Sequence, residues 1–302
     1  MPESPLIFDR ALIGRRQRRA SKLGAATFLL DRVADDLVER LGAVLRRFDV
    51  AVDLGTPTDA VRKALARLGT VDTIVAVCTT DENLLPRNAN EKIVIADEEA
   101  LPFRDGSLDL VVSALALQFV NDLPGTLIQT RRALKPDGLF MAALIGGETL
   151  TELRQAFAAA ESEIEGGASP RVAPFADVRE LGALLQRAGF ALPVTDVDRL
   201  CVRYDSVFAL MHDLRRMAAT NALIERRRAP LRRATLTRMA EIYGQRFADP
   251  DGRLRVTFEI VWVSGWAPHP SQQQPLRPGS AKARLADALG TREISAGDKA
   301  GR

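Results

Sequence analysis

The segment Asp53-Leu54-Gly55-Thr56-Pro57-Thr58-Asp59 follows the apolar run Val50-Ala51-Val52 and precedes a helical stretch, Ala60–Leu68. A turn at that place lets the backbone approach a bound nucleoside closely when it is rich in glycine. Here Gly55 stands alone. Pro57 lacks an N–H, and Thr56 and Thr58 bring side chains into the space that glycines would leave free. A plain strand-to-helix connection therefore stands beside the nucleoside cradle as a reading of this loop. The next candidate position is the end of a second apolar run, at Cys78 and Thr79, where an acid would accept from both hydroxyls of a ribose. Neither is a carboxylate, and Asp81 and Glu82 follow as a substitute or as an N-cap and first-turn acid of a helix.

A third segment, Ala96-Asp97-Glu98-Glu99-Ala100-Leu101-Pro102-Phe103, places three acids between an apolar strand and an apolar turn. An acid there, Asp97 or Glu98, can accept from the exocyclic amine of an adenine while the apolar side chains close over the ring. Asp109 then opens a further strand ending at Ser113, after which Ala114–Asn121, with Gln118 among them, would line a crevice. No nucleophile with a neighbouring base stands out: no serine sits in a G-x-S-x-G turn, and Cys78 has no base beside it in sequence.

Five short runs must position these residues: Val50–Leu54, Thr73–Cys78, Lys92–Ala96, Ser107–Ser113 and Gly138–Leu144. They alternate with helical segments, and each is nearly all apolar, so a parallel sheet covered on both faces is expected. Ligands of such a sheet sit outside the carboxyl ends of its strands. Before the sheet, Phe8–Phe48 has helical periodicity, and its basic run Arg15–Lys22 reads as a solvated face or a phosphate patch. The turn Lys135-Pro136-Asp137-Gly138 announces the fifth strand, with the left-handed position expected at the glycine.

Helices are expected at Thr149–Ile164, Asp177–Ala188, Ser206–Asn221 and Leu231–Phe247, and strands at Pro193–Tyr204 and Arg253–Trp266, the latter an antiparallel edge. The organisation expected is N-terminal helices over 1–48, a cofactor core over 49–148, a helical lid with the last strands over 149–267, and a flexible tail over 268–302. The fold class is α/β: a Rossmann-like, doubly wound, mostly parallel sheet with an antiparallel edge strand and a helical insertion.

The bulk numbers exclude several function classes. Forty-two Lys+Arg against 39 Asp+Glu leave a net charge of +3, too small a surplus to point to nucleic acid. The distant pair Cys78 and Cys201 implies no disulfide framework and a reducing compartment, so a cytoplasmic location is expected. His212 and His269 are too few to suggest a protein-built metal centre. The longest apolar stretch, Leu108–Val120, is interrupted by Asp109, Ser113 and Gln118, and spanning needs roughly 20 apolar residues. Any membrane association would be peripheral, and the N-terminal arginines are followed by no apolar signal region.

In their order and spacing, Asp53-Leu54-Gly55, Asp97 to Phe103, Leu108 to Ser113 and Leu134-Lys135-Pro136-Asp137-Gly138 resemble class I S-adenosylmethionine-dependent methyltransferases. Further segments narrow the resemblance: Phe8-Asp9-Arg10, Val120 to Pro124, Gly146 to Arg154, Ser169 to Phe175 and Ile260 to Trp266. They resemble a subfamily that holds malonyl-acyl-carrier-protein methyltransferases and a mitochondrial complex I assembly factor of the arginine-hydroxylase type.

That resemblance implies an S-adenosylmethionine site at Asp53, Gly55, Cys78, Asp97, Glu98, Ser113 and Gln118, and a methyltransferase-type activity. It also implies an alternative, assembly of respiratory NADH dehydrogenase by hydroxylating a subunit arginine or by binding that subunit without catalysis. The chain departs from the family at Thr56, Pro57 and Thr58, which replace glycines. It departs again at Cys78, which replaces an acid, and at Gln118-Phe119, where a His-Trp pair is common.

Overall fold

The computed structural model describes residues 6–79, 91–273, 287 and 289–292. Asp81, Glu82 and most of the tail lie outside the described residues. Met1–Pro268 forms one compact unit and His269–Arg302 a second.

The first unit is built on a seven-stranded sheet in the order β3-β2-β1-β4-β5-β7-β6. Its strands are β1 (Phe48–Leu54), β2 (Val71–Cys78), β3 (Glu91–Ile95), β4 (Leu108–Ala114), β5 (Leu134–Ile145), β6 (Ala191–Tyr204) and β7 (Leu254–Trp266). The pairs β1–β2, β2–β3, β1–β4 and β4–β5 are parallel, whereas β7 runs antiparallel to both β5 and β6. The antiparallel strand expected at the edge is thus one place inside it. The edge is β6, whose alternating burial matches a strand wetted on one face.

Because side chains alternate across a strand, neighbouring residues enter opposite cores. Val52, Val111 and Phe140 pack beneath α4 (Leu123–Ala133) and α6 (Val178–Arg187), in a cluster with Leu127, Leu181 and Leu185. Ala51, Leu110, Val112, Leu139 and Met141 face α2 (Phe28–Gly42) and α3 (Ala60–Leu68), meeting Val33, Leu37, Leu41, Val61 and Leu65. The doubly wound layering therefore follows directly from the apolar strands.

A third cluster joins Val256 and Phe258 of β7 to α5 (Thr151–Glu165), α7 (Val207–Arg216) and α8 (Arg233–Phe247). This is the helical insertion. The N-terminal helix α1 (Arg10–Lys22) is capped by Asp9, whose carboxylate accepts from Leu12 N–H at 2.9 Å.

Two local expectations need correcting. Strand β5 already starts at Leu134, so Lys135–Gly138 is an irregularity within it and not a turn before it, and the left-handed residue there is Asp137 (φ 63°), not Gly138, consistent with the tolerance of Asp for that region. Gly138 is needed for room: a Cβ there would lie 2.9 Å from the Lys135 carbonyl oxygen. Helix α7 stops at Arg216, well short of Asn221, because Ala218 turns left-handed (φ 57°). Among the described residues, no helix is long and apolar enough to cross a membrane.

Candidate active site

The loop leaving β1 opens onto a cavity of about 360 Å³ at the carboxyl ends of β1, β2 and β4. Gly55 continues the sheet, its N–H donating to Val77 O at 2.9 Å, and then turns left-handed (φ 74°). The expected obstruction by threonines does not occur. Thr56 is buried, hydrogen-bonds Asp53, and its hydroxyl accepts from Ala114 N–H at 3.2 Å, so it bridges β1 and β4. Thr58 turns back to accept from Ala60 N–H at 3.2 Å, at the start of α3, and Pro57 is exposed. Both threonine hydroxyls are thus tied to backbone N–H groups, and Thr56, Pro57 and Thr58 form part of the cavity wall without closing it.

Asp53 and Ser113 lie beneath the cavity and not on its wall. Ser113 donates to Leu54 O at 2.7 Å, pinning β4 to the end of β1. Asp53 is fully buried, and one carboxylate oxygen has no partner among the described residues. Burial raises its pKa to about 7, against the opposing pull of the Thr56 hydrogen bond and the Arg62 charge.

Of the two acids expected at the adenine side, Glu98 reaches the cavity and Asp97 does not. Glu98 lies directly over Gly55, where a Cβ would sit 2.6 Å from its Oε1. The close approach that Gly55 permits is thus made by a carboxylate of the same chain. Arg10 meets both acids, pairing with Asp97 at 3.0 Å and with Glu98, and its other nitrogen donates to Phe119 O at 3.3 Å. Burial works against its charge, yet Glu98, Asp97 and Glu99 together raise the Arg10 pKa. The segment that carries Arg10 is itself anchored, since Ile7 and Phe8 N–H groups both donate to Asn121 Oδ1 at 2.8 Å.

On the remaining walls, Cys78 is buried at the end of β2 with Thr79 exposed beside it. The amide of Gln118 donates to Leu115 O at 2.7 Å, while its oxygen is buried without a partner among the described residues. Among those residues, five that are not glycine have positive φ, and three of them line this cavity: Leu115, Leu150 and Ala218. A left-handed β-carbon costs roughly 1–3 kcal/mol, and such positions concentrate at binding sites. Of the residues expected at the site, Gly55, Cys78, Glu98 and Gln118 share one cavity, whereas Asp53, Asp97 and Ser113 support it from behind or beside.

Comparison with known proteins agrees with the fold. Residues 52–142 match the methyltransferase domain family. Arginine-hydroxylase NDUFAF5 of Danio rerio is 36% identical over 93% of this chain and 89% of its own length, and that of Homo sapiens 38% identical over 93% and 82%. The chain belongs to the NDUFAF5 family, on the class I methyltransferase fold. The malonyl-[acyl-carrier protein] O-methyltransferase of Halorhodospira halophila is 35% identical over 85% of this chain and 88% of that protein. Among solved structures, YcgJ of Bacillus subtilis shares the fold with a TM-score of 0.51 at 15% identity, covering 77% of this chain and 98% of YcgJ.

The fold is typical of S-adenosylmethionine-binding methyltransferases, and in this NDUFAF5-family chain the loop after Gly55 runs Thr56-Pro57-Thr58. Sequence reasoning missed the role of Arg10 as the partner of Glu98 and the three left-handed positions. The Phe8-Asp9-Arg10 motif was the available signal for the first; nothing in the sequence marked the others.

Proposed function

We propose that this chain binds S-adenosylmethionine in the cavity beside Gly55 and acts as a methyltransferase. The observation that carries the reading is the orphaned, buried oxygen of Gln118 on the wall of an open cavity at the sheet's switch point. A ligand donor would satisfy it. Glu98 is the carboxylate on the same wall for ribose or adenine donors, and Cys78 with Thr79 flanks the position beyond β2.

When bound, S-adenosylmethionine supplies an electrophilic methyl group on a sulfonium. The chain's own contribution is positioning: Leu115, Leu150, Phe175 and Phe258 form apolar walls that exclude water and fix the approach of an acceptor. The cofactor site sits at the carboxyl edge, while Thr56 and Ser113 keep the strand ends in register beneath it. Titration calorimetry with S-adenosylmethionine tests this: one equivalent of saturable heat is expected, and no heat at millimolar ligand rejects it.

A second reading is favoured by the guanidinium of Arg10 against Glu98 at the cavity edge, together with the extent of identity to proteins named arginine-hydroxylase. The same carboxylate would then receive an arginine of a respiratory NADH dehydrogenase subunit, with the chain serving as an assembly factor on the cytoplasmic side. Mass spectrometry of that complex from a deletion strain checks it: the subunit arginine should lose its modification, and an unchanged residue rejects the reading. If neither cofactor heat nor an altered arginine is found, a non-catalytic binding role is what remains.

A further inference from the structure

Two more recesses lie on the side of the cavity beside Gly55 that Phe119, Leu150 and Phe175 line. A second, of about 210 Å³, shares Phe119, Leu150, Phe175, Leu214 and Ala219 with the first, and its remaining wall is mainly apolar, with Leu153 and Phe157, but also holds Arg171, Arg215, Thr220 and Asn221. A third, of about 480 Å³ and wide open, shares Arg171, Thr220 and Asn221 with the second. Shared walls make the three recesses neighbours, the second lying between the first and the third. The outer one is ringed by Arg16, Arg171, Arg226, Arg227 and Arg228.

Three of these guanidiniums are already neutralised: Arg171 by buried Glu161, Arg226 by Asp9 at 3.2 Å, and Arg227 by Glu165. Arg16 and Arg228 have no carboxylate within ion-pair distance among the described residues. Arg16 donates only to the Thr220 carbonyl, at 2.6 Å. Its pKa is lowered, by burial first and by the Arg226 charge second, with Asp9 pulling the other way. Guanidinium groups converging on one recess recognise oxyanions, with several donors in fixed directions.

We propose that these three recesses form the acceptor channel of the site beside Gly55, and that its substrate carries an oxyanion on an apolar arm. The oxyanion, a phosphate or a carboxylate, docks against Arg16 and Arg228 at the mouth. The arm passes between Phe119, Leu150 and Phe175, and its far end reaches the first cavity. This rests on the reading of that cavity as a reaction site and adds the class of molecule it accepts.

The test uses the full chain and octyl phosphate below its micellar concentration, with octanoate, inorganic phosphate and octyl glucoside as comparison probes. Calorimetry should show one site for an octyl anion, about tenfold tighter than for octyl glucoside or inorganic phosphate. Whichever of octyl phosphate and octanoate binds more tightly names the head group. Arg228→Gln, on an exposed side chain, and Arg16→Gln should together weaken the octyl anion about tenfold and leave octyl glucoside unchanged. Added salt should weaken the anion alone.

Equal binding of charged and uncharged octyl probes, or undiminished binding by the double variant, overturns the proposal. If Arg16→Gln fails to fold, Arg228→Gln alone should still weaken the anion, and an unaltered affinity overturns the proposal equally. S-adenosylmethionine calorimetry on the same protein separates the two ideas. Cofactor heat without anion binding removes the channel only, and anion binding without cofactor heat removes the methyl-transfer reading only.

Discussion

Arg62 with Glu91, and Arg10 with Asp97 and Glu98, are two arginine–carboxylate contacts in one fold, and they differ in what surrounds them. Arg62 of α3 and Glu91 of β3 meet at 3.2 Å with side chains only 2% and 3% exposed. Neither lines the cavity. Arg10 keeps 23% exposure, Asp97 48% and Glu98 9%, and Glu98 is part of the cavity wall. The first pair is shut away from solvent and from the cavity, so it acts as a strut. The second stands where a ligand can compete for the carboxylate. Proximity to an open cavity, more than the chemistry of the pair, separates structure from recognition.

The comparison breaks first at the strut. Arg62→Ala should cost about 3–5 kcal/mol, because it takes the opposing charge of Arg62 away from a buried carboxylate. Urea unfolding measures this. Replacing both partners, Arg62→Met with Glu91→Leu, should recover most of the loss. A loss below about 1 kcal/mol in the single variant would mean that water reaches the pair, and the contrast drawn here would fail.

Arg62 also acts on Asp53, whose raised pKa gives the next largest effect. In the unfolded chain Asp53 releases its proton near its ordinary value of 3.8; in the fold it holds it to about 7. Between those values the native state binds more protons, so the contribution of Asp53 to stability falls as pH rises, and is lowest above 7. The full span is about 4 kcal/mol. Asp53→Asn should remove it, so the stability difference between variant and parent should grow in favour of the variant from pH 4.5 to pH 7.5. A difference independent of pH would place the carboxylate in contact with water.

The sheet was legible because each strand is an apolar run bounded by turn residues, and its carboxyl ends follow from chain direction alone. That was enough to bring Gly55, Cys78, Glu98 and Gln118 together. It was not enough for Arg10, whose partners Asp97 and Glu98 lie far along the chain and meet it only through the docking of Ile7 and Phe8 on Asn121. Thr56 was misread as an obstruction because its partners, Asp53 and Ala114 N–H, belong to two strands. Leu115, Leu150 and Ala218 were invisible for a different reason: no glycine or asparagine marks their left-handed backbone, which tertiary packing imposes.

Gly55 tests how tightly the recognition pair is built. Gly55→Ala forces a β-carbon into the left-handed region and against the Glu98 carboxylate, so a cost of about 1–3 kcal/mol is expected in urea unfolding. The strain should be smaller in Gly55→Ala combined with Glu98→Ala, which removes the contact but not the φ. An equal cost in both backgrounds would show that Glu98 moves aside freely.

The smallest expected effect is the most informative about function. Arg10→Gln leaves Asp97 and Glu98 without their guanidinium, and because Asp97 is half exposed and Glu98 borders the open cavity, where water can replace the lost donor, the stability cost should stay within about 1 kcal/mol. Its consequence is for binding. A cationic sulfonium ligand that takes Glu98 as an acceptor must displace Arg10 from that carboxylate or share it, so removing Arg10 should tighten S-adenosylmethionine by about three- to tenfold. Arg62→Lys, which preserves the charge of the strut, should leave that affinity unchanged. If Arg10→Gln weakens the ligand instead, Arg10 holds Glu98 in its binding orientation, and the pair is a support like the one at Arg62.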